Sequence, residues 1–64
     1  MNRYNRTING YKLEVIRESD GYYAAKLTNT VSGATRYSGG WSSRDTALRI
    51  VRQMHEEQVA KAHN

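Results

Sequence analysis

Side chains able to move a proton or attack a carbonyl are sparse in this 64-residue sequence. Nucleophilic catalysis needs a base within hydrogen-bond reach of the attacking group. His55 and His63 are the only histidines and cysteine is absent, so the chain lacks the donors for a convincing tetrahedral metal site. The carboxylates Glu14, Glu18 and Asp20 fall on one short stretch and Glu56 and Glu57 on another, with no spacing that pairs an acid with a base. The runs SGA at 32–34 and SGG at 38–40 lack the longer glycine spacing, followed by Lys and Ser/Thr, of a phosphate-cradling loop. No catalytic residue, metal or cofactor is expected, and the chain reads as a non-enzyme.

The chemistry held in quantity is that of macromolecular contact. Residues 21–51 contain three of the five tyrosines, the single tryptophan and four of the five glycines. Lys12, Tyr22, Lys26, Thr28, Thr35, Arg36 and Tyr37 could meet phosphates, base edges or a protein surface, and Arg3 and Arg6 lie ahead of them in a polar leader. The formal net charge of +4 favours an anionic partner. By segment it is +2 over 1–10, −1 over 11–20, +2 over 21–41 and +1 over 42–64.

The elements that must position these groups follow from periodicity. In YKLEVIRE, Tyr11, Leu13, Val15 and Arg17 alternate with Lys12, Glu14, Ile16 and Glu18, a strand pattern in which Ile16 falls on the polar side. Asp20-Gly21 marks a tight hairpin. YYAAKLTN then places Tyr23, Ala25 and Leu27 on one face and Tyr22, Ala24, Lys26 and Thr28 on the other. A second turn has Gly33 as its left-handed residue. ATRYSGGW forms a third strand of open register, with either Tyr37 or Arg36 and Ser38 turned inward.

Ser42 with Asp45 reads as a capping box opening a helix. From there Ala47, Ile50, Val51 and Met54 make a core stripe, widened by Leu48 and Val59. His55 lies at the edge of the stripe, and the helix should run to about residue 60 before the terminal KAHN frays.

The expected architecture is therefore α+β, a three-stranded antiparallel sheet with one C-terminal helix packed on one face (β-β-β-α). Residues 1–9 are read as a flexible basic arm and 10–64 as a single domain. Trp41 is expected to anchor the third strand to the helix. Because one helix covers one side of a sheet, the opposite side stays open. That open face would be a solvated surface, a DNA-binding surface or a protein-binding patch.

Several short motifs resemble known families. GYYAAKL at 21–27, SG at 32–33, GGW at 39–41 and SRDTA at 43–47 resemble the DNA-binding domain of plant ethylene-response factors. The Gly-Tyr-Tyr strand and Arg-bearing leader are similar to the arm-binding domain of phage tyrosine integrases. Those resemblances imply DNA contact through the open sheet, with Lys26, Thr28, Thr35 and Tyr37 on the contacting strands. DGYYA at 20–24 and SRDTAL at 43–48 more loosely resemble HicB-type antitoxins, which bind a protein partner and often dimerise.

The leading expectation is non-catalytic binding of double-stranded DNA by the open face, assisted by Arg3 and Arg6. The alternative is a small protein-binding module, antitoxin-like or a phage-type inhibitor of a host protein. Either suits a phage or mobile-element product. Residues 1–10 contain no apolar run and no segment has the ~20 apolar residues of a membrane span. A cytoplasmic monomer or homodimer with no membrane contact is expected.

Overall fold

The computed structural model describes residues 4–62, so Arg3 and His63 lie outside the described residues. In chain order the elements are β1 (Tyr4–Ile8), β2 (Tyr11–Ser19), β3 (Tyr22–Asn29), β4 (Thr35–Trp41) and α1 (Arg44–Ala62). The strands form one antiparallel meander in the order β1-β2-β3-β4. The α+β class and the C-terminal helix are as expected, but the sheet has four strands rather than three.

The added strand comes from residues read as the flexible arm. Asn9 and Gly10 both take positive φ, 51° and 80°, the conformation whose twist suits a two-residue hairpin turn. The turn folds Tyr4–Ile8 back along β2, with Arg6 opposite Leu13 and Ile8 opposite Tyr11. Tyr4 and Ile8 then pack against the core. Two apolar side chains on one face hold the strand in register.

The core lies between sheet and helix. Leu13, Val15, Ala25 and Leu27 from the sheet meet Ala47, Val51 and Met54 from the helix, all buried. Tyr11, Tyr23, Trp41, Leu48 and Ile50 pack around them. The helix lies over β2 and β3 and touches β4. Trp41 joins this rim, and its indole N–H donates to Ser38 Oγ at 3.1 Å.

The helix begins one residue later than the capping-box reading placed it. Ser43, not Ser42, is the cap: Thr46 N–H donates to Ser43 Oγ at 3.1 Å, and Ala47 N–H to the Ser43 carbonyl at 3.2 Å. Asp45 remains in the first turn, where its charge opposes the positive end of the helix dipole. No helix among the described residues is long and apolar enough to cross a membrane.

Two irregularities set which side chains face away from the helix. On β2, Arg17 pairs with Tyr23 and Ser19 with Tyr22, leaving Glu18 as an extra residue. On β4, Ser38 pairs with Ala25 but Trp41 pairs with Tyr23, so the Gly39-Gly40 pair contains another. Gly40 has φ +79°, a conformation glycine adopts without a Cβ penalty. That bulge re-phases β4, so Trp41 turns to the helix although Tyr37 does not.

Candidate binding face

Directly opposed residues in an antiparallel sheet share a face. On the face away from the helix, Thr7, Lys12, Thr28 and Thr35 form one row across all four strands. Asn5, Glu14, Lys26 and Tyr37 form the next. Ile16 and Ala24 follow, and Ser19 pairs with Tyr22 beyond them. Eight of the nine residues singled out from sequence can thus be placed: Lys12, Tyr22, Lys26, Thr28, Thr35 and Tyr37 share the open face, whereas Arg6 and Arg36 do not.

The open register of β4 is thereby resolved. Tyr37 stands opposite Lys26, and Arg36 stands opposite the buried Leu27. Arg6 occupies the equivalent place on β1, opposite Leu13. One row therefore reads Arg6, Leu13, Leu27, Arg36, with an exposed arginine at each edge of the helix-covered side. Neither arginine joins the lysines, because each is one residue out of phase with the open face.

The electrostatics of the open face are balanced. Lys12 and Lys26 are matched by Glu14 and Glu18, so this face adds nothing to the formal +4. Lys12 Nζ lies 4.0 Å from Glu14 Oε2, and Lys26 stands directly across from Glu14. The large hydrophobic groups exposed on it are aromatic: Tyr22 is 51% and Tyr37 57% exposed.

Glu18 was not singled out from sequence, yet it organises this face. Its Oε1 accepts a hydrogen bond from Gly40 N–H at 3.1 Å, reaching from β2 past β3 to β4. The same oxygen and the Tyr37 hydroxyl converge over Gly39, where a Cβ would stand 2.7 Å and 2.8 Å from them. Ala24, on the open side, has no exposed surface, so its neighbours close over it. The signal in the sequence was the Gly39-Gly40 pair: the first makes room for a carboxylate, and the second supplies the bulge.

The remaining polar groups among the described residues lie apart from one another. His55 meets Tyr11 edge-on, ring centroids 5.4 Å apart at 67°, and its Nε2 is buried with no hydrogen-bond partner. A groove of about 430 Å³ on the helix is lined by Asp45, Leu48, Arg49, Arg52, Gln53 and Glu56, which mix both signs of charge. A smaller hollow of about 160 Å³ lies between β1 and β2 beside Glu14 and Ile16. Among the described residues no three His, Cys, Asp or Glu side chains are grouped to hold a metal ion.

The turn joining β3 to β4 is tightly tied. Asn29 Oδ1 accepts from Val31 N–H at 2.9 Å and Ser32 N–H at 3.1 Å, while Thr30 Oγ1 donates to the Gly10 carbonyl at 2.8 Å. These bonds fix Thr28 and Thr35 side by side at one end of the open face. Compared with known family models, characterised proteins and solved structures, the chain has no significant match.

Proposed function

We propose that the chain is a non-catalytic binding module whose open sheet face receives a protein partner. The observation that carries this reading is the pairing of charge balance with exposed aromatic surface: two lysines against two glutamates, around Tyr22 and Tyr37. Tyrosine brings large contact area at a low entropic cost, which is why it is enriched among interface hot spots. A face without net charge gains little from long-range attraction to a polyanion. The same proposal places the chain in the cytoplasm, as a monomer or a homodimer.

Affinity capture from cells that make the protein tests this. Wild type should retain a protein that the Tyr22→Ala/Tyr37→Ala double variant loses and the Arg49→Ala/Arg52→Ala double variant keeps. Retention by the tyrosine variant would overturn the reading.

A second reading is duplex DNA, favoured by the co-facial Lys12, Thr28 and Thr35 row beside Lys26 and Tyr37. Its salt dependence separates it from the first. Two phosphates met by Lys12 and Lys26 alone give a log–log slope near roughly −2, whereas four to six phosphates give about −4 to −5. The steeper slope would require Arg6 and Arg36, which face the other way. Amide shifts at Lys12 and across residues 22–28 and 34–38 on adding random duplex DNA at low salt, with the helix unmoved, would support DNA. Their absence would remove it.

A further inference from the structure

The best-organised part of the open face is the Glu18 carboxylate, held beside the hydroxyl end of Tyr37. Glu18 Oε1 is held by Gly40 N–H at 3.1 Å, and among the described residues no cation pairs with its carboxylate. The hydroxyl end of Tyr37 converges with Glu18 over Gly39, and Tyr22 stands on the same face, two residues along β3 from the covered Ala24. Lys26 is the cation beside Tyr37, and Glu14 directly opposite offsets it. The carboxylate keeps unused acceptor capacity, because an ionised Glu can receive about four hydrogen bonds.

We propose, building on the protein-binding reading above, that Glu18, Tyr22 and Tyr37 form the seat for an arginine side chain of the partner. A guanidinium fits this chemistry better than an ammonium. It is planar, sheds water more readily, stacks on a ring and donates in parallel to a carboxylate. The Glu18–Gly40 hydrogen bond holds the acceptor in place before the partner arrives, which lowers the ordering cost of binding. The partner therefore presents an exposed arginine on the segment that covers β3 and β4.

The probe is N-acetyl-arginine amide, followed by amide shifts of the intact chain, with N-acetyl-citrulline amide as the neutral isostere. Arginine amide should shift Glu18, Tyr22, Tyr37, Gly39 and Gly40 saturably, half-complete at roughly 10 mM, the affinity expected of one charge-assisted hydrogen bond with one ring contact. Citrulline amide should not. Glu18→Gln should weaken the response about tenfold, and Tyr37→Leu, which retains the carboxylate, should weaken it several-fold. Equal responses to the two amides, shifts centred on Asp20, Glu56 or Glu57, or an undiminished response in Glu18→Gln would each overturn the proposal. If the tyrosine variants lose a captured partner while arginine amide produces no shifts, the arginine seat falls and the protein-binding reading stands.

Discussion

Gly40→Ala should lower the thermal midpoint markedly, while Gly39→Ala, one residue earlier, should leave it nearly unchanged and still disorder the open face of the sheet. The two substitutions add the same methyl group to different physics. At Gly40 the backbone sits at φ +79° and a Cβ would meet nothing within 4 Å, so the cost is purely conformational. Left-handed backbone costs an L-residue roughly 1–2 kcal/mol. In a domain of this size each kcal/mol moves the midpoint by about 4–8 °C, so a fall of about 4–16 °C is expected.

Gly39 has no such backbone demand. Its new methyl would sit 2.7 Å from Glu18 Oε1 and 2.8 Å from the Tyr37 hydroxyl, the far ends of two exposed and flexible side chains. Both can swing aside. The lost Glu18–Gly40 hydrogen bond is exposed to water, and an alanine restricts the unfolded chain by about 0.4–1 kcal/mol in compensation. The midpoint should therefore stay within about 5 °C of wild type. The Gly40 amide should lose its hydrogen-bonded shift and exchange faster with solvent. Circular dichroism melts and amide exchange on both variants decide the matter. A stable Gly40→Ala with a Gly39→Ala that melts more than about 10 °C lower would refute the assigned bulge.

Other outcomes follow from the packing. Ser43→Ala removes the acceptor for Thr46 N–H and should cost about 1 kcal/mol by urea denaturation, whereas Ser42→Ala should cost almost nothing. Leu27→Ala empties a fully buried site and should cost about 2–5 kcal/mol. At about 0.05–0.15 kcal/mol per residue that is a large share of the whole stability, so a substantial unfolded fraction should appear by circular dichroism. Tyr4→Ala/Ile8→Ala strips β1 of its core contacts. Its amides should exchange rapidly while those of β2 and β3 stay protected, and protection persisting across Tyr4–Ile8 would contradict the role given to those two side chains.

Legibility in the sequence tracked the strength of each local signal. The alternation in β2 and β3 is long and clean enough that Leu13, Val15, Ala25 and Leu27 could be assigned to the core, and they are buried. Lys12, Lys26 and Thr28 follow from the same alternation. β1 was hidden because its inward positions read Tyr4, Arg6, Ile8, a pattern too short and too polar to stand out. Its turn was the better clue, since Asn9-Gly10 is a strong two-residue hairpin signal. The side taken by Arg6 was hidden for the same reason: as part of a loose arm it had no assigned side, and once paired with Leu13 it faces the helix side.

β4 was ambiguous for a different reason. Its apolar residues, Tyr37 and Trp41, lie four apart and would share a face in a regular strand, whereas the bulge at Gly39-Gly40 puts them on opposite ones. Alternation alone has no term for an inserted residue. Glu18 went unnoticed because its role depends on a bulge in β2 and a glycine on β4 more than 20 residues away, a coincidence only the folded register creates.

In the proposed binding module, contact is made through the sheet face opposite the helix. This is tested most directly by mapping amide shifts on the labelled protein as the captured partner is added. Changes should concentrate at residues 16–28 and 35–40, with α1 (Arg44–Ala62) unmoved. Changes that follow Arg49, Arg52 and Glu56 along the helix, leaving Tyr22 and Tyr37 untouched, would contradict it.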